Sequence, residues 1–170
     1  MNLPEIPAPP EVVRVTPATE FASFLTVVRN SVGSGMFRTL VVLRDDEPYD
    51  ALHDGGRSCA FYVSSILTIF KKIGSFHSTV RATVADLERS GWRAVHDLGA
   101  LRPGDVLVWS ARLIDGERHA HIGFHVGDEQ AVSTSNRTGT PVLHHDHPNH
   151  AWSEIERAYR LPGWDLLEEP

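Results

Sequence analysis

The spacing of apolar positions divides the 170-residue chain into a helical first half and a strand-rich second half. In "TEFASFLTVVRN", Phe21, Phe24, Leu25 and Val28 recur every three or four residues behind Thr19, which predicts a capped amphipathic helix. A Gly/Ser break follows at residues 32–35. The β-branched run "FRTLVVL", 37–43, is a strand candidate, with a helical continuation as the alternative, and "RDDEPYDALHDGG" is a loop. "SCAFYVSSILTIFKKIG" predicts a mostly buried helix with Ser58 as cap and Gly74 as stop. "TVADLERSG" predicts a short helix, with Thr83 and Asp86 in capping-box spacing and Gly91 at its end.

After residue 100 the period changes to two. "LRPGDVLVWSA" is a Pro-Gly turn feeding a strand, and "HAHIGFHVGDEQAVSTS" is two strands joined at Gly-Asp-Glu. Strands at 105–110, 119–126 and 130–135 should form one antiparallel sheet. Ile122, Phe124 and Val126 should be buried against Val63 and Leu67 of the Cys59 helix. A His-rich loop, 144–150, precedes a last strand near 155–161. Helices followed by an antiparallel meander make an α+β layout with the helices on one face of the sheet. No repeat or linker divides the chain, so 1–170 reads as one domain, with a Pro-rich arm over 1–17 and a core over 54–161.

Composition narrows the function classes. The net charge of -6 and the lack of a basic stripe exclude a general nucleic-acid binder. No apolar run reaches membrane-spanning length, and the N-terminus lacks the basic and apolar regions of a signal peptide. A cytoplasmic protein is the simplest expectation, with export by a route that needs no cleaved signal as the other. The single cysteine cannot form an internal disulfide.

That cysteine, Cys59, has two readings. Free cysteine is often a small core residue. Cys59 also opens a helix behind a Gly-Gly loop, where unpaired N–H groups and the helix dipole stabilise a thiolate and form an oxyanion hole. A base is available in "HIGFHVG". On a strand, His121, Gly123 and His125 oppose Ile122, Phe124 and Val126. His121, beside a glycine that clears space, suits a base facing a cleft. His125 reads as a surface residue and His119 as a strand-entry residue. The ten histidines also admit a metal site, drawn from His119, His121 and His125 with His144, His145, His147 and His150. The second group falls in a Pro- and Asn-containing segment with no stable period, which favours a solvated loop. No metal and no other cofactor is expected.

A Cys-opened helix, then "LRPGDVLVW", then "HIGFHVG" and the return strand "QAVSTS", resembles the papain-like NlpC-type cell-wall peptidases and the related CHAP amidases. The resemblance covers residues 54–136. The chain also resembles a set of uncharacterised bacterial proteins with "SCA.FVS", "HIGF" and a following "HH", here His144-His145. It implies a papain-like core and cleavage of an amide bond, with a peptide or a peptidoglycan fragment such as a stem peptide as substrate. It further implies Cys59 as nucleophile, His121 as general base and the Cys59 N–H as oxyanion donor. The third catalytic position, usually His, Asn or Gln in the family, is matched by Ser133. Hairpin counting places Ser135 or Asn136 opposite His121 instead, which leaves Asn136 as the alternative third member.

Two other classes stay open: a degenerate papain-like domain that only binds a ligand, and a His-cluster metal-binding protein. Tyr49, in the loop before the nucleophile, is a candidate substrate contact. Trp92, Trp109 and Trp152 are candidate cleft residues, with core or rim as the plainer reading. The thiol pKa is expected below its free value, with the helix start and His121 outweighing burial.

Overall fold

The computed structural model describes residues 14–114, 117–146 and 154–164. Most of the N-terminal arm, together with His147, His150 and Trp152, lies outside the described residues. The chain is α+β. Helix α1, Pro17–Asn30, buries Phe21, Phe24, Leu25 and Val28. Its cap is Thr16, not Thr19: the Thr16 hydroxyl accepts the Thr19 N–H at 3.2 Å, and Thr19 Oγ1 accepts the Thr16 N–H at 2.8 Å. Proline at the first helical position explains the earlier start, since that N–H has no helical partner.

The run at 37–43 becomes a 3-10 turn, Gly35–Phe37, and then β1, Val41–Arg44. The segment read as a loop holds a second strand, β2, Glu47–Asp50, paired antiparallel with β1. Asp45 and Asp46 supply the two-residue turn, at φ 52 and 64. Both lie in the left-handed region that hairpin turns of this length demand and that Asp tolerates.

Helix α2, Cys59–Ile69, is the central helix, with Tyr62, Val63, Ile66 and Leu67 fully buried. It stops before Gly74, because Lys71 takes the left-handed position at φ 55 and the Lys72 N–H bonds to Leu67 O at 2.8 Å. Helix α3, Val80–Arg89, is capped by Thr79, whose hydroxyl accepts the Ala82 N–H at 3.3 Å. Thr83 and Asp86 are therefore interior residues and not a capping pair. Asp86 ties the preceding loop to the helix, accepting from His77 Nε2 at 2.7 Å and the Ser75 N–H at 3.1 Å.

The remaining strands are β3, Arg93–Ala94; β4, Val106–Ile114; β5, Glu117–Gly127; β6, Gln130–Thr134; β7, Pro141–His145; and β8, Ile155–Arg160. They form one six-stranded sheet in the order β3-β8-β4-β5-β6-β7, with every neighbouring pair antiparallel. The pattern located three central strands and the last one. It missed β7, whose His144 and Leu143 are half-exposed beside the buried β6.

Alternation along the strands gives the sheet two different faces. Val106, Val108, Ile122, Phe124, Val126 and Val132 join α1 and α2 in the main core, with Val63 and Leu67 buried as the pattern predicts. Leu107, Trp109, Ala131 and Ala158 form a smaller cluster on the other face. Trp92 and Trp109 are both buried core residues. Among the described residues, no helix is long and apolar enough to cross a membrane.

Gly123 sets how closely β5 and β6 approach. A methyl group there would lie 2.7 Å from both Ser133 Cβ and Val132 O, and 3.1 Å from the Trp109 ring. Gly123→Ala should therefore destabilise the fold by about 1–3 kcal/mol, as overpacking does. The check is a lowered urea midpoint at unchanged m-value; an unchanged midpoint would contradict the close approach.

Candidate functional site

Cys59 is the first residue of α2. Ser58 precedes it at the N-cap position, but its side chain does not cap the helix; its hydroxyl donates to Gly55 O at 2.8 Å. The loop before it is pinned from outside. Arg38 holds Asp54 with two bonds of 3.0 and 2.6 Å, and a side chain at Gly55 would meet the Gly139 carbonyl at 2.4 Å. With no side-chain cap, first-turn amides are available to the thiol. The backbone N–H groups of Ile122 from β5, and then of Ala60 and Cys59, act on the sulfur and favour its charged form.

The influence of the Ile122 amide shows which part of β5 the thiol faces. Pairing of β5 with β6 begins at Phe124, so the edge of β5 is open at Ile122. A strand amide points in the plane of the sheet. The sulfur therefore sits at the sheet's open edge, next to the residue that carries the His121 side chain. Cys59 and His121 line one cavity of about 440 Å³, together with residues of the 51–57 loop, the start of α3 and the start of β5.

Three further groups continue from His121 through the sheet. His121 Nε2 lies 2.8 Å from Ser133 Oγ, and Ser133 Oγ lies 2.7 Å from His144 Nε2. His144 Nδ1 lies 2.7 Å from the His145 carbonyl oxygen. A carbonyl only accepts, so His144 Nδ1 carries a proton and, in the neutral ring, Nε2 is an acceptor. The Ser133 hydroxyl then donates to His144 and accepts from His121 Nε2–H. By this chain the neutral His121 ring holds its proton on Nε2 and a lone pair on Nδ1. Trp109 packs beside both imidazoles, with ring centroids 5.4 Å from His121 and 5.7 Å from His144.

Cys59 and His121 thus line the same cavity, and Ser133 is bonded to His121. Asn136 lines the cavity, but it is Ser133 that bonds to His121. Tyr49 is outside the cavity lining: its ring lies under Arg44, with the guanidinium carbon 3.6 Å from the ring centre, and its hydroxyl is 2.6 Å from His53 Nε2. His125 is not a surface residue. It is buried, with Nδ1 2.9 Å from the equally buried Asp146 carboxylate. His119 lies within β5 and lines the cavity. His144 is the residue that pattern reading placed in a solvated loop. The signal that was present was the alternation of "PVLHH" itself, which puts Val142 and His144 on one face of β7 and Leu143 and His145 on the other. Among the described residues, no three His, Cys, Asp or Glu side chains converge as a metal-ligand set.

Burial decides the protonation states. It pushes the Cys59 thiol up to about 11, although the amides of Ile122, Ala60 and Cys59 pull the other way. Burial, and then the neighbouring His144, pull His121 down to about 3. Burial also lowers His144. The expectation of a lowered thiol pKa is therefore reversed, because desolvation outweighs the helix start. The resting site is a neutral thiol beside a neutral imidazole.

No protein-family model matches the chain, and no curated protein matches it.

These shifts give stability a pH window. His121 is depressed, so its contribution is present above about 6.5 and is lost as pH falls toward about 3. Cys59 is raised, so its contribution is present below about 9 and is lost as pH rises toward about 11. Urea midpoints should be flat between these limits and fall on both sides. His121→Gln should flatten the acid limb and Cys59→Ala the alkaline limb; limbs unchanged by both substitutions would contradict the assignment.

Proposed function

We propose that the chain is a cysteine-dependent hydrolase of the papain-like type, a peptidase or amidase that cleaves an amide bond. A peptidoglycan stem peptide is the substrate that its resemblance to NlpC-type peptidases and CHAP amidases suggests. The observation that carries the reading is one cavity lined both by the thiol of a residue that opens a helix and by an imidazole whose Nε2 is bonded to a hydroxyl.

The chemistry follows from the tautomer. Cys59 Sγ attacks the carbonyl carbon as its proton passes to His121 Nδ1. Because the pair rests neutral, proton transfer accompanies attack and does not precede it. The carbonyl oxygen becomes an oxyanion, stabilised by the Cys59 backbone N–H. The imidazolium Nε2–H donates to Ser133 Oγ, and the Ser133 hydroxyl donates to His144. A hydroxyl stabilises an imidazolium less well than a carboxylate. A hydrogen bond beyond it polarises that hydroxyl and offsets part of the deficit. Collapse of the tetrahedral adduct breaks the C–N bond, His121 Nδ1–H protonates the leaving amine, and a thioester forms on Cys59. Water, deprotonated by the same nitrogen, then hydrolyses the thioester.

A second reading, a non-catalytic binding module with the same fold, is favoured by the neutral resting pair. Turnover separates the two. On a panel of peptide amides and soluble peptidoglycan fragments, the native chain should release amine and Cys59→Ala should release none. His121→Ala should lower kcat by about 10²–10⁴, the usual range for a general base. Ser133→Ala and His144→Ala should lower kcat by smaller factors with KM nearly unchanged. Turnover that survives in Cys59→Ala would overturn the hydrolase reading, and absence of both turnover and a Cys59 acyl adduct across the panel would favour the binding module.

A further inference from the structure

The charge around the cavity is opposite to the charge of the chain. The sequence has 22 Asp and Glu against 16 Lys and Arg. The cavity lining nevertheless holds Arg57, Arg81 and Arg118 and not one acidic residue. The three come from separate elements: Arg57 from the loop just before Cys59, Arg81 from the first turn of α3, and Arg118 from β5, three residues before His121. Among the described residues, neither Arg81 nor Arg118 forms an ion pair, whereas Arg38, Arg89, Arg157 and Arg160 each do.

We infer that the Cys59 cavity recognises a substrate carrying carboxylates close to the scissile amide. This inference rests on the hydrolase reading for the bond that is cleaved, but not for the charge that is recognised. Guanidinium groups hold carboxylates through paired N–H donors in a fixed planar fork. A cationic cleft in an otherwise anionic molecule attracts an anion to that cleft and repels it elsewhere, which favours productive encounter. Three guanidiniums approaching from different sides fit more than one carboxylate, or one carboxylate in more than one register. Among the described residues, a neutral peptide would leave Arg81 and Arg118 without a counter-charge. The three arginines are exposed, so the attraction is screened by salt and its effect falls at high ionic strength.

Cys59 itself reports the local charge. Iodoacetate and iodoacetamide differ by one carboxylate and alkylate the same sulfur. Their rate ratio, compared with the ratio for a small free thiol at the same pH, measures the potential at Cys59 and does not depend on turnover. At low salt the native ratio should exceed the free-thiol ratio by about fivefold or more, and 0.5 M salt should remove most of that excess. Arg81→Glu/Arg118→Glu should lower the ratio by about tenfold or more, below the free-thiol value. Reaction with both reagents at the free-thiol ratio, unchanged by salt and by the double substitution, would overturn the anionic specificity and leave the hydrolase reading standing. A folded chain in which neither reagent reaches Cys59 would overturn both.

Discussion

A strand has two faces and one plane, and β5 uses all three. Ile122, Phe124 and Val126 enter the main core against α1 and α2. His121 and His125 are set on the opposite side, where they meet Ser133 and Asp146. The amide of Ile122 lies between the two faces and acts on the Cys59 sulfur, favouring its charged form. Helix α2 is positioned by packing on one face, yet its first residue lines the same cavity as the histidine on the other. A shift of one residue in register would bury His121 in the apolar core and expose Ile122. The buried apolar triplet thus holds the register on which the site depends.

The thiol illustrates how burial competes with a helix start. A rise from 9.0 to about 11 corresponds to about 3 kcal/mol against the charged form. An exposed helix start supplies only about 0.3–1 kcal/mol in favour of it. The amides that hold Cys59 therefore orient it without ionising it. In the proposed reaction this places the demand on His121, which would accept a proton during attack although its own pKa is held low. The Ser133–His144 chain supports that demand, since it meets the developing imidazolium with an aligned acceptor. The two arginines nearest in sequence to Cys59 and His121, Arg57 and Arg118, add positive charge at the cavity, which favours a thiolate and opposes an imidazolium.

The parts legible in the sequence were those set by period. The alternation of "HIGFHVG" identified which residues are core and which face the other way, and the stripe through Val63, Ile66 and Leu67 identified the central helix. Helix starts were displaced by a turn wherever another Thr competed for the cap, as at Thr16 against Thr19 and Thr79 against Thr83. Ser133 was reachable through its place on the return strand, by likeness to a motif. The alternation of "PVLHH" marks His144 as a strand residue but not its role, which depends on β7 pairing with β6, a non-local event. The hairpin of β1 and β2 was hidden for a local reason, its turn being two aspartates and not a glycine. The arginines of the cavity come from three distant segments, so their convergence appears only in three dimensions.

The claim on which the chemistry turns is that a carbonyl two residues' reach away fixes the His121 tautomer, leaving the lone pair on Nδ1. The direct measurement is the ¹⁵N chemical shift of both His121 ring nitrogens in the folded chain near neutral pH, with His144→Ala as comparison. The account predicts a protonated Nε2 and an unprotonated Nδ1, with the balance shifting toward the other tautomer in His144→Ala. A native His121 protonated on Nδ1, or a tautomer that does not respond to loss of His144, would contradict it.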